Sequence, residues 1–185
     1  HNGVGDRYVC TFDGKGAVRI NDLITKKRKF SVTLLAPVLK KNQLEFMLQK
    51  SVEIGVENIY LYISEKSKHS FNLEKEEKKM KRYDDIITSA FLQSENFYKP
   101  NLNIVRSITD FNFDMFRKII VLDQYSDDFL DKKVSCDLIV SGGEYGFDDR
   151  EMKTISKNRA SSFNLGENIL RAETAPLVAL SRLNN

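Results

Sequence analysis

Eleven residues near the end of the chain combine a short strand, a tight turn and the start of a helix. Residues 165–175 read L-G-E-N-I-L-R-A-E-T-A, and Pro176 and an apolar run follow. Proline fits the first turn of a helix, because its missing N–H would have no partner there, and Thr174 is predicted to cap that helix. An arginine and a glutamate lie at the bend. A bend that only covers a core needs neither, so this segment predicts a functional site.

Strands and helices alternate from residue 36 onward, which predicts an α/β fold. Short apolar runs are typical of the buried strands of a parallel sheet. They occur at residues 59–63, 104–105, 119–122 and 138–140, with a last short strand at 163–165. Ligands of such sheets bind at the carboxyl ends of the strands, where we expect the functional site.

Three helices before the last one are indicated by the spacing of their apolar residues and by their end signals. The first ends at Gly55, because glycine is the residue most typical of a helix C-cap. The second is predicted as one long helix over residues 75–93, with oppositely charged i,i+4 pairs on its outer face. The third begins at Asp148, and Glu151 three residues later completes a capping box.

The first 35 residues are predicted to form a separate small unit, the remnant of a β-barrel. Extended runs at 8–12 and 17–20 flank a D-G-K-G hairpin turn, and the β-branched run at 30–35 is assigned to the same barrel. The predicted domains are therefore residues 1–35 and 36–185. Because the chain opens without a methionine, we expect further residues before His1 in the natural protein.

The chain has only a small excess of positive charge, but much of it is clustered in one segment. The net charge is +3, but Lys26, Lys27, Arg28 and Lys29 form a basic block of the kind that binds RNA phosphates. The first three are candidate RNA contacts, and the alternative is a solvated strand edge whose lysines block aggregation. No apolar run approaches the roughly 20 residues of a membrane helix. Two distant cysteines fit a reducing cytoplasm.

Common cofactor and metal motifs are missing from the sequence. No Walker A loop is present, and no strand is followed by G-x-G-x-x-G, which disfavours a Rossmann-type methyltransferase or dehydrogenase. His1 and His69 lie far apart without a C-x-x-C motif, so no metal site is expected. A Ser-His-Asp triad would have to use His69, which lies in a polar loop.

A glycine-rich loop, S-G-G-E-Y-G-F at residues 141–147, directly follows the strand at 138–140. Glycines there let the backbone approach a ligand closely and offer N–H groups to it. A tight turn between a strand and a helix is the alternative interpretation. Together with residues 165–174, the loop could enclose one planar ligand between two turns at neighbouring strand ends.

These two segments resemble the RsmE family, the SPOUT-type methyltransferases that modify N3 of a uridine in small-subunit ribosomal RNA. The family motif L-G-x-x-I-L-R-x-E-T-A matches at every fixed position. The matching residues are Leu165, Gly166, Ile169, Leu170, Arg171, Glu173, Thr174 and Ala175. Residues 49–56 resemble the family's Q-K-x-x-E-L-G-V segment, and residues 64–67 its S-E-R-S segment. The glycine loop departs from I-G-P-E-G-G-F: Gly143 replaces the proline and Tyr145 a glycine.

The resemblance implies a SPOUT-type trefoil-knotted parallel sheet with helices on both faces, preceded by a partial PUA-like barrel. It implies a homodimer that binds S-adenosylmethionine through backbone groups of the two loops. Lys66 replaces a family arginine and joins the candidate RNA contacts. The implied partner is small-subunit (16S) ribosomal RNA or the assembled small subunit. The cofactor-binding residues carried over are Leu122, Gly142, Gly143, Leu165, Gly166, Ile169, Leu170 and Thr174.

Methylation of uridine N3 requires loss of the N3 proton, so a base or a group that stabilises the developing anion is needed. Arg171 is expected to stabilise the uridine oxygens or a flanking phosphate, and Glu144 and Glu173 are candidate bases or orienting groups. Alternatively, Arg171 simply pairs with Glu173, and Glu173 is favoured electrostatically at a helix N-terminus.

Two other functions stay open at this point. The changes at Tyr145 and Asn96, where the family has glycine and arginine, are compatible with an RNA-binding or ribosome-assembly protein that kept the fold and lost catalysis. A SPOUT enzyme that acts on transfer RNA fits the fold, but it accounts less well for residues 49–56 and 64–67.

Overall fold

The computed structural model describes residues 1–184, which form eight strands, five α-helices and three short 3-10 helices. Strands β1 (Asp6–Phe12) and β2 (Val18–Thr25) make an antiparallel hairpin, as the turn at residues 13–16 predicts. The hairpin exposes apolar side chains from both of its strands, among them Phe12, Val18 and Ile20. Of the helices in the described residues, none is long and apolar enough to cross a membrane.

The other six strands form one parallel sheet in the order β5-β4-β3-β7-β6-β8. The predicted α/β class with a parallel sheet is therefore confirmed. The strands are β3 (Thr33–Pro37), β4 (Asn58–Tyr62), β5 (Asn101–Val105), β6 (Ile119–Leu122), β7 (Leu138–Val140) and β8 (Ser161–Phe163).

Strand β3 corrects the assignment of residues 30–35 to the N-terminal barrel. Leu34 pairs with Ile59 of β4 on one side and with Ile139 of β7 on the other. All five β3 residues are buried, as expected for a central strand covered on both faces. The boundary predicted at residue 35 thus falls inside a strand of the parallel sheet. The β-branched residues of this run suit a strand of the barrel and a strand of the parallel sheet equally well, so composition alone led to the wrong assignment.

Helices cover both faces of the sheet. Helices α1 (Lys41–Ile54), α3 (Met80–Gln93) and α5 (Ala175–Leu183) pack on the face that carries Leu34, while α4 (Asp149–Lys157) packs on the face that carries Leu35. Helix α1 ends at Gly55, whose φ of 98° is the left-handed conformation that favours glycine. The predicted C-cap is therefore confirmed.

The helix predicted over residues 75–93 is two helices, α2 (Leu73–Glu77) and α3, separated by a turn at 78–79. Glu76 of α2 is buried, and it accepts hydrogen bonds from Tyr83 Oη at 2.7 Å and Lys79 Nζ at 2.8 Å. The break was missed because residues 74–79 are all glutamate or lysine, which favour a helix throughout.

Candidate functional site

A cavity of about 950 Å³ opens at the carboxyl ends of β6, β7 and β8. Three segments form most of its wall: residues 122–125 after β6, 141–147 after β7 and 163–175 after β8. This is the edge at which parallel sheets bind ligands, and the volume lies within the range of roughly 300–1,000 Å³ found for small-molecule sites. The two loops singled out in the sequence therefore meet at one cavity.

Seven of the eight predicted cofactor-binding residues line this cavity: Leu122, Gly142, Gly143, Leu165, Gly166, Ile169 and Leu170. Thr174 lies outside the wall, although its neighbours Glu173 and Ala175 belong to it. Thr174 has helical backbone angles, φ −87° and ψ −40°, rather than the extended ones of a residue that caps with its side chain. Thr174 therefore occupies the predicted N-cap position of α5, but its side chain makes no capping hydrogen bond.

The glycine loop is held in a tight turn by its own backbone and by a buried tyrosine. The Gly146 N–H donates to the Gly143 carbonyl at 3.0 Å, and the Tyr62 hydroxyl donates to the Ser141 carbonyl at 2.9 Å. Burial, with the nearby Glu151 carboxylate, raises the pKa of Tyr62, so its hydroxyl remains a donor. A Cβ atom at Gly142 would come within 3.2 Å of the Phe147 ring, so the loop has little room for a side chain at this position.

The opposite wall is fixed by hydrogen bonds between two loops. The Gly166 N–H donates to Asn164 Oδ1 at 3.1 Å, and Gly166 has a φ of 136°. The backbone of Asn164 donates to the Asp128 carbonyl at 2.8 Å and accepts from the Leu130 N–H at 3.0 Å. The segment after β8 is thereby tied to the segment after β6.

Arg182 of α5 braces the same wall. Its Nη1 donates to the Leu130 carbonyl at 3.0 Å and its Nη2 to the Leu165 carbonyl at 2.8 Å. One guanidinium group therefore joins the two loops, which suits its planar fork of donors. Nothing in the sequence indicated this contact, because it depends on how α5 folds back over the loops.

The predicted catalytic residues all line the cavity. The Arg171 side chain is 81% exposed, and its Nη1 lies 3.8 Å from Oε1 of the buried Glu173. Gln43 Nε2 donates to the other oxygen of Glu173 at 3.1 Å, so both carboxylate oxygens have a cationic or N–H neighbour. Glu144 has only a longer contact, 3.4 Å, to Lys40 Nζ.

The predicted RNA contacts fall into two places. Lys66 lines the cavity, and its Nζ donates to the Tyr145 carbonyl at 2.8 Å. Lys26 and Arg28 instead lie over aromatic rings, 4.6 Å from the centre of Phe97 and 4.3 Å from that of Tyr98. Lys27 is exposed beside them. The structure therefore does not bring the basic block to the cavity.

Several wall residues outside the two predicted segments were missed in the sequence: Gln43, Asp123, Gln124, Tyr125, Met152, Phe163 and Asn164. Residues 123–125 follow a predicted strand, so the strand-end rule could have found them. The sequence did not give the strand order that sets β6 between β7 and β8. Within residues 1–184, no three histidine, cysteine, aspartate or glutamate side chains come together to form a metal site.

Glu151 connects α4 to the turn that carries Lys66. As predicted, Asp148 and Glu151 form a capping box: the Asp148 N–H donates to Glu151 Oε2 at 2.8 Å. The other oxygen, Oε1, accepts from the Glu65 N–H at 3.0 Å. Burial nevertheless raises the pKa of Glu151, and these two backbone hydrogen bonds oppose that effect only in part.

Replacing Glu151 by glutamine is expected to change stability in a pH-dependent way. The folded pKa lies above that of the unfolded chain, which is near the ordinary 4.5, so this group contributes stability below the unfolded pKa and loses it as pH rises through the folded pKa. The natural protein should therefore lose unfolding free energy relative to Glu151→Gln as pH rises from the ordinary 4.5 through the raised folded pKa. Urea denaturation across this range measures the difference, and a constant difference would contradict the prediction.

Comparison with known proteins identifies similar sequences. The family described as RNA methyltransferase domain matches residues 26–184. The chain is 33% identical over 162 residues to ribosomal RNA small subunit methyltransferase E of Mesomycoplasma hyopneumoniae, covering 83% of this chain and 69% of that protein. It is 29% identical to the Bacillus subtilis protein of the same name, covering 78% of this chain and 62% of that one. The chain thus spans 62–69% of the length of these relatives.

Two solved structures superpose on nearly the whole chain. A Legionella pneumophila protein with bound S-adenosylmethionine gives a TM-score of 0.83 at 26% identity, over 98% of this chain and 79% of that protein. Ribosomal RNA small subunit methyltransferase E of Neisseria gonorrhoeae, also bound to S-adenosylmethionine, gives a TM-score of 0.82 at 24% identity. That match covers 97% of this chain and 78% of the other protein. The described residues therefore share the fold of these proteins.

Proposed function

The chain belongs to the RsmE family of RNA methyltransferases, and we propose that it transfers a methyl group from S-adenosylmethionine to small-subunit ribosomal RNA. One observation carries this proposal. The motif over residues 165–175 and the glycine loop, far apart in sequence, line a single cavity at the carboxyl edge of the sheet.

The cavity fits an adenosyl cofactor in its chemistry. Leu122, Leu165 and Leu170 are half-buried in its wall and offer apolar contacts to a planar base. The backbone around Gly142 and Gly166 offers hydrogen-bonding groups close to the ligand, because neither residue has a side chain to keep it away. When bound there, the cofactor supplies an activated methyl group, and the protein contributes mainly alignment.

Within this reaction, Arg171 stabilises negative charge that develops on the substrate. Its side chain is exposed at the cavity while Glu173 lies buried behind it. Because Gln43 and Arg171 both approach Glu173, that carboxylate serves as the group that orients Arg171. Glu144 is then the predicted carboxylate that remains available to take a proton.

The substrate atom in this proposal is N3 of a uridine. Deprotonation at N3 spreads negative charge onto the two flanking carbonyl oxygens, which suits a nearby guanidinium group. The family resemblance of residues 165–175 supports this choice. A methylated base, rather than a methylated ribose, is the expected product.

Mass spectrometry of nucleosides tests the proposal. Small subunits or their RNA from cells that lack the natural protein should gain N3-methyluridine when incubated with the protein and S-adenosylmethionine. Transfer RNA under the same conditions should gain no methyl group. Methylation of transfer RNA, or a ribose product, would replace the proposed substrate with one of the alternatives.

The alternative of a binding protein without catalysis rests on Tyr145, whose side chain could crowd the cofactor, and on Asn96. Tyr145 lines the cavity but is 68% exposed, so most of its surface faces solvent rather than the cavity wall. Asn96, where the family has arginine, donates to the Val52 carbonyl at 2.6 Å and so has a structural use of its own. Both observations favour the enzyme.

The same proposal extends to architecture and assembly. The hydrogen bonds of Asn164 to residues 128 and 130 support a trefoil knot made of the segments after β6 and β8. The hairpin of β1 and β2, with the basic block after it, is proposed as part of a PUA-like RNA-binding unit. The protein would act as a homodimer on ribosomal RNA in the cytoplasm. Analytical ultracentrifugation tests the dimer.

A further inference from the structure

We propose that Tyr145 is the platform on which the target nucleobase of the RNA stacks, an inference that rests on the proposed methyl transfer. Tyr145 lines the cavity, yet the residue is 68% exposed. A large aromatic ring at the mouth of a cavity offers a π-face to a base that arrives from solvent. Bases that enter an active site leave their own stack, and aromatic side chains commonly replace it.

The backbone that carries the ring is fixed from two sides. Tyr145 lies within the turn closed by the hydrogen bond from the Gly146 N–H to the Gly143 carbonyl. Its own carbonyl accepts from Lys66 Nζ at 2.8 Å. A fixed backbone leaves only the side-chain rotations of Tyr145 to be lost when a base stacks on its ring.

Cationic side chains contact the turn that carries the ring or line the same cavity. Lys66 holds the turn itself, Lys40 is 75% exposed and contacts the neighbouring Glu144, and Arg171 is 81% exposed on the facing loop. A nucleotide turned out of its strand brings a phosphate on each side of its base. The arrangement of an aromatic ring among cations therefore matches a nucleotide better than an isolated apolar ligand.

The cofactor is a poorer match for this ring than the RNA is. An adenine bound in the cavity has half-buried partners in Leu122, Leu165 and Leu170, deeper in the wall. Tyr145 stands at the exposed rim, where the second substrate must enter. The ring is also a feature of this chain, because the RsmE loop that it resembles has glycine at this position.

The test is the affinity for a fluorescein-labelled fragment of small-subunit ribosomal RNA, measured by anisotropy with S-adenosylhomocysteine present. Stacking on an aromatic side chain contributes about 1–3 kcal/mol per base, so Tyr145→Ala should raise the Kd for RNA by roughly 5- to 150-fold. Tyr145→Phe keeps the ring and should stay within about 3-fold of the natural protein. Tyr145→Leu keeps apolar area without a ring and should resemble the alanine variant.

Other outcomes are equally decisive. An unchanged Kd in Tyr145→Ala, or a leucine variant as good as the phenylalanine variant, overturns the stacking role. A loss of affinity for S-adenosylhomocysteine instead of RNA assigns the ring to the cofactor. Methylation by the natural protein is measured in parallel. If the proposed function is wrong, no methylated nucleoside forms, even where RNA binding depends on the ring.

Discussion

Replacement of Arg171 by alanine is expected to lower the rate of RNA methylation by roughly 10²- to 10³-fold, the usual effect of removing one group that stabilises charge in a transition state. The fold should be unaffected, because the side chain is 81% exposed and its contact with Glu173 is long at 3.8 Å. The measurement is single-turnover methylation of small-subunit RNA at saturating cofactor, with the melting temperature recorded alongside.

Two variants make this result specific. Arg171→Lys keeps the positive charge but loses the planar fork of donors, so its rate should fall between those of the natural protein and the alanine variant. Arg150→Ala removes an exposed arginine of α4 outside the cavity wall and should leave the rate unchanged. If Arg171→Ala methylates RNA as fast as the natural protein, the catalytic assignment of Arg171 is wrong.

Replacement of Gly166 by valine is expected to weaken binding of S-adenosylhomocysteine by roughly 5- to 150-fold, which corresponds to about 1–3 kcal/mol of backbone strain. The φ of 136° at Gly166 is one that a β-branched residue rarely adopts. A Cβ there would have no described atom within 4 Å, so a steric clash is not the cause. The loop must leave its conformation, and the wall of the cavity moves with it.

Gly14 provides a matched control for this substitution. It also has a positive φ, 76°, and among residues 1–184 a Cβ there would likewise meet nothing within 4 Å. Because Gly14 lies in the hairpin turn away from the cavity, Gly14→Val should strain that turn and leave cofactor affinity unchanged. Equal losses of affinity in both variants would mean that general destabilisation, rather than the shape of the cavity wall, controls binding.

Local signals in the sequence predicted local structure well. The spacing of apolar residues predicted α1, Gly55 marked its end, and Asp148 with Glu151 marked the start of α4. Each signal involves residues within one or two helical turns of each other, so the interactions that produce the structure lie within one short segment. The same holds for the motif after β8, whose residues lie together because they are contiguous.

Signals that depend on tertiary structure were missed. Residues 30–35 were assigned to the barrel because a β-branched run does not reveal its partner strands, and Leu34 finds them in β4 and β7. The break at residues 78–79 accompanies the burial of Glu76 against Tyr83. Gln43 and Arg182 reach the cavity region only because α1 and α5 pack on the same face of the sheet.

Calorimetric titration of the natural protein with S-adenosylhomocysteine tests the central claim most directly, namely that the cavity after β6, β7 and β8 is a cofactor site. The prediction is saturable binding of about one molecule per chain, which Gly166→Val weakens and Gly14→Val does not. The titration is repeated with small-subunit ribosomal RNA present, so that a site completed by RNA is also detected. An absence of binding under both conditions would contradict the claim and leave an RNA-binding protein without methyl transfer.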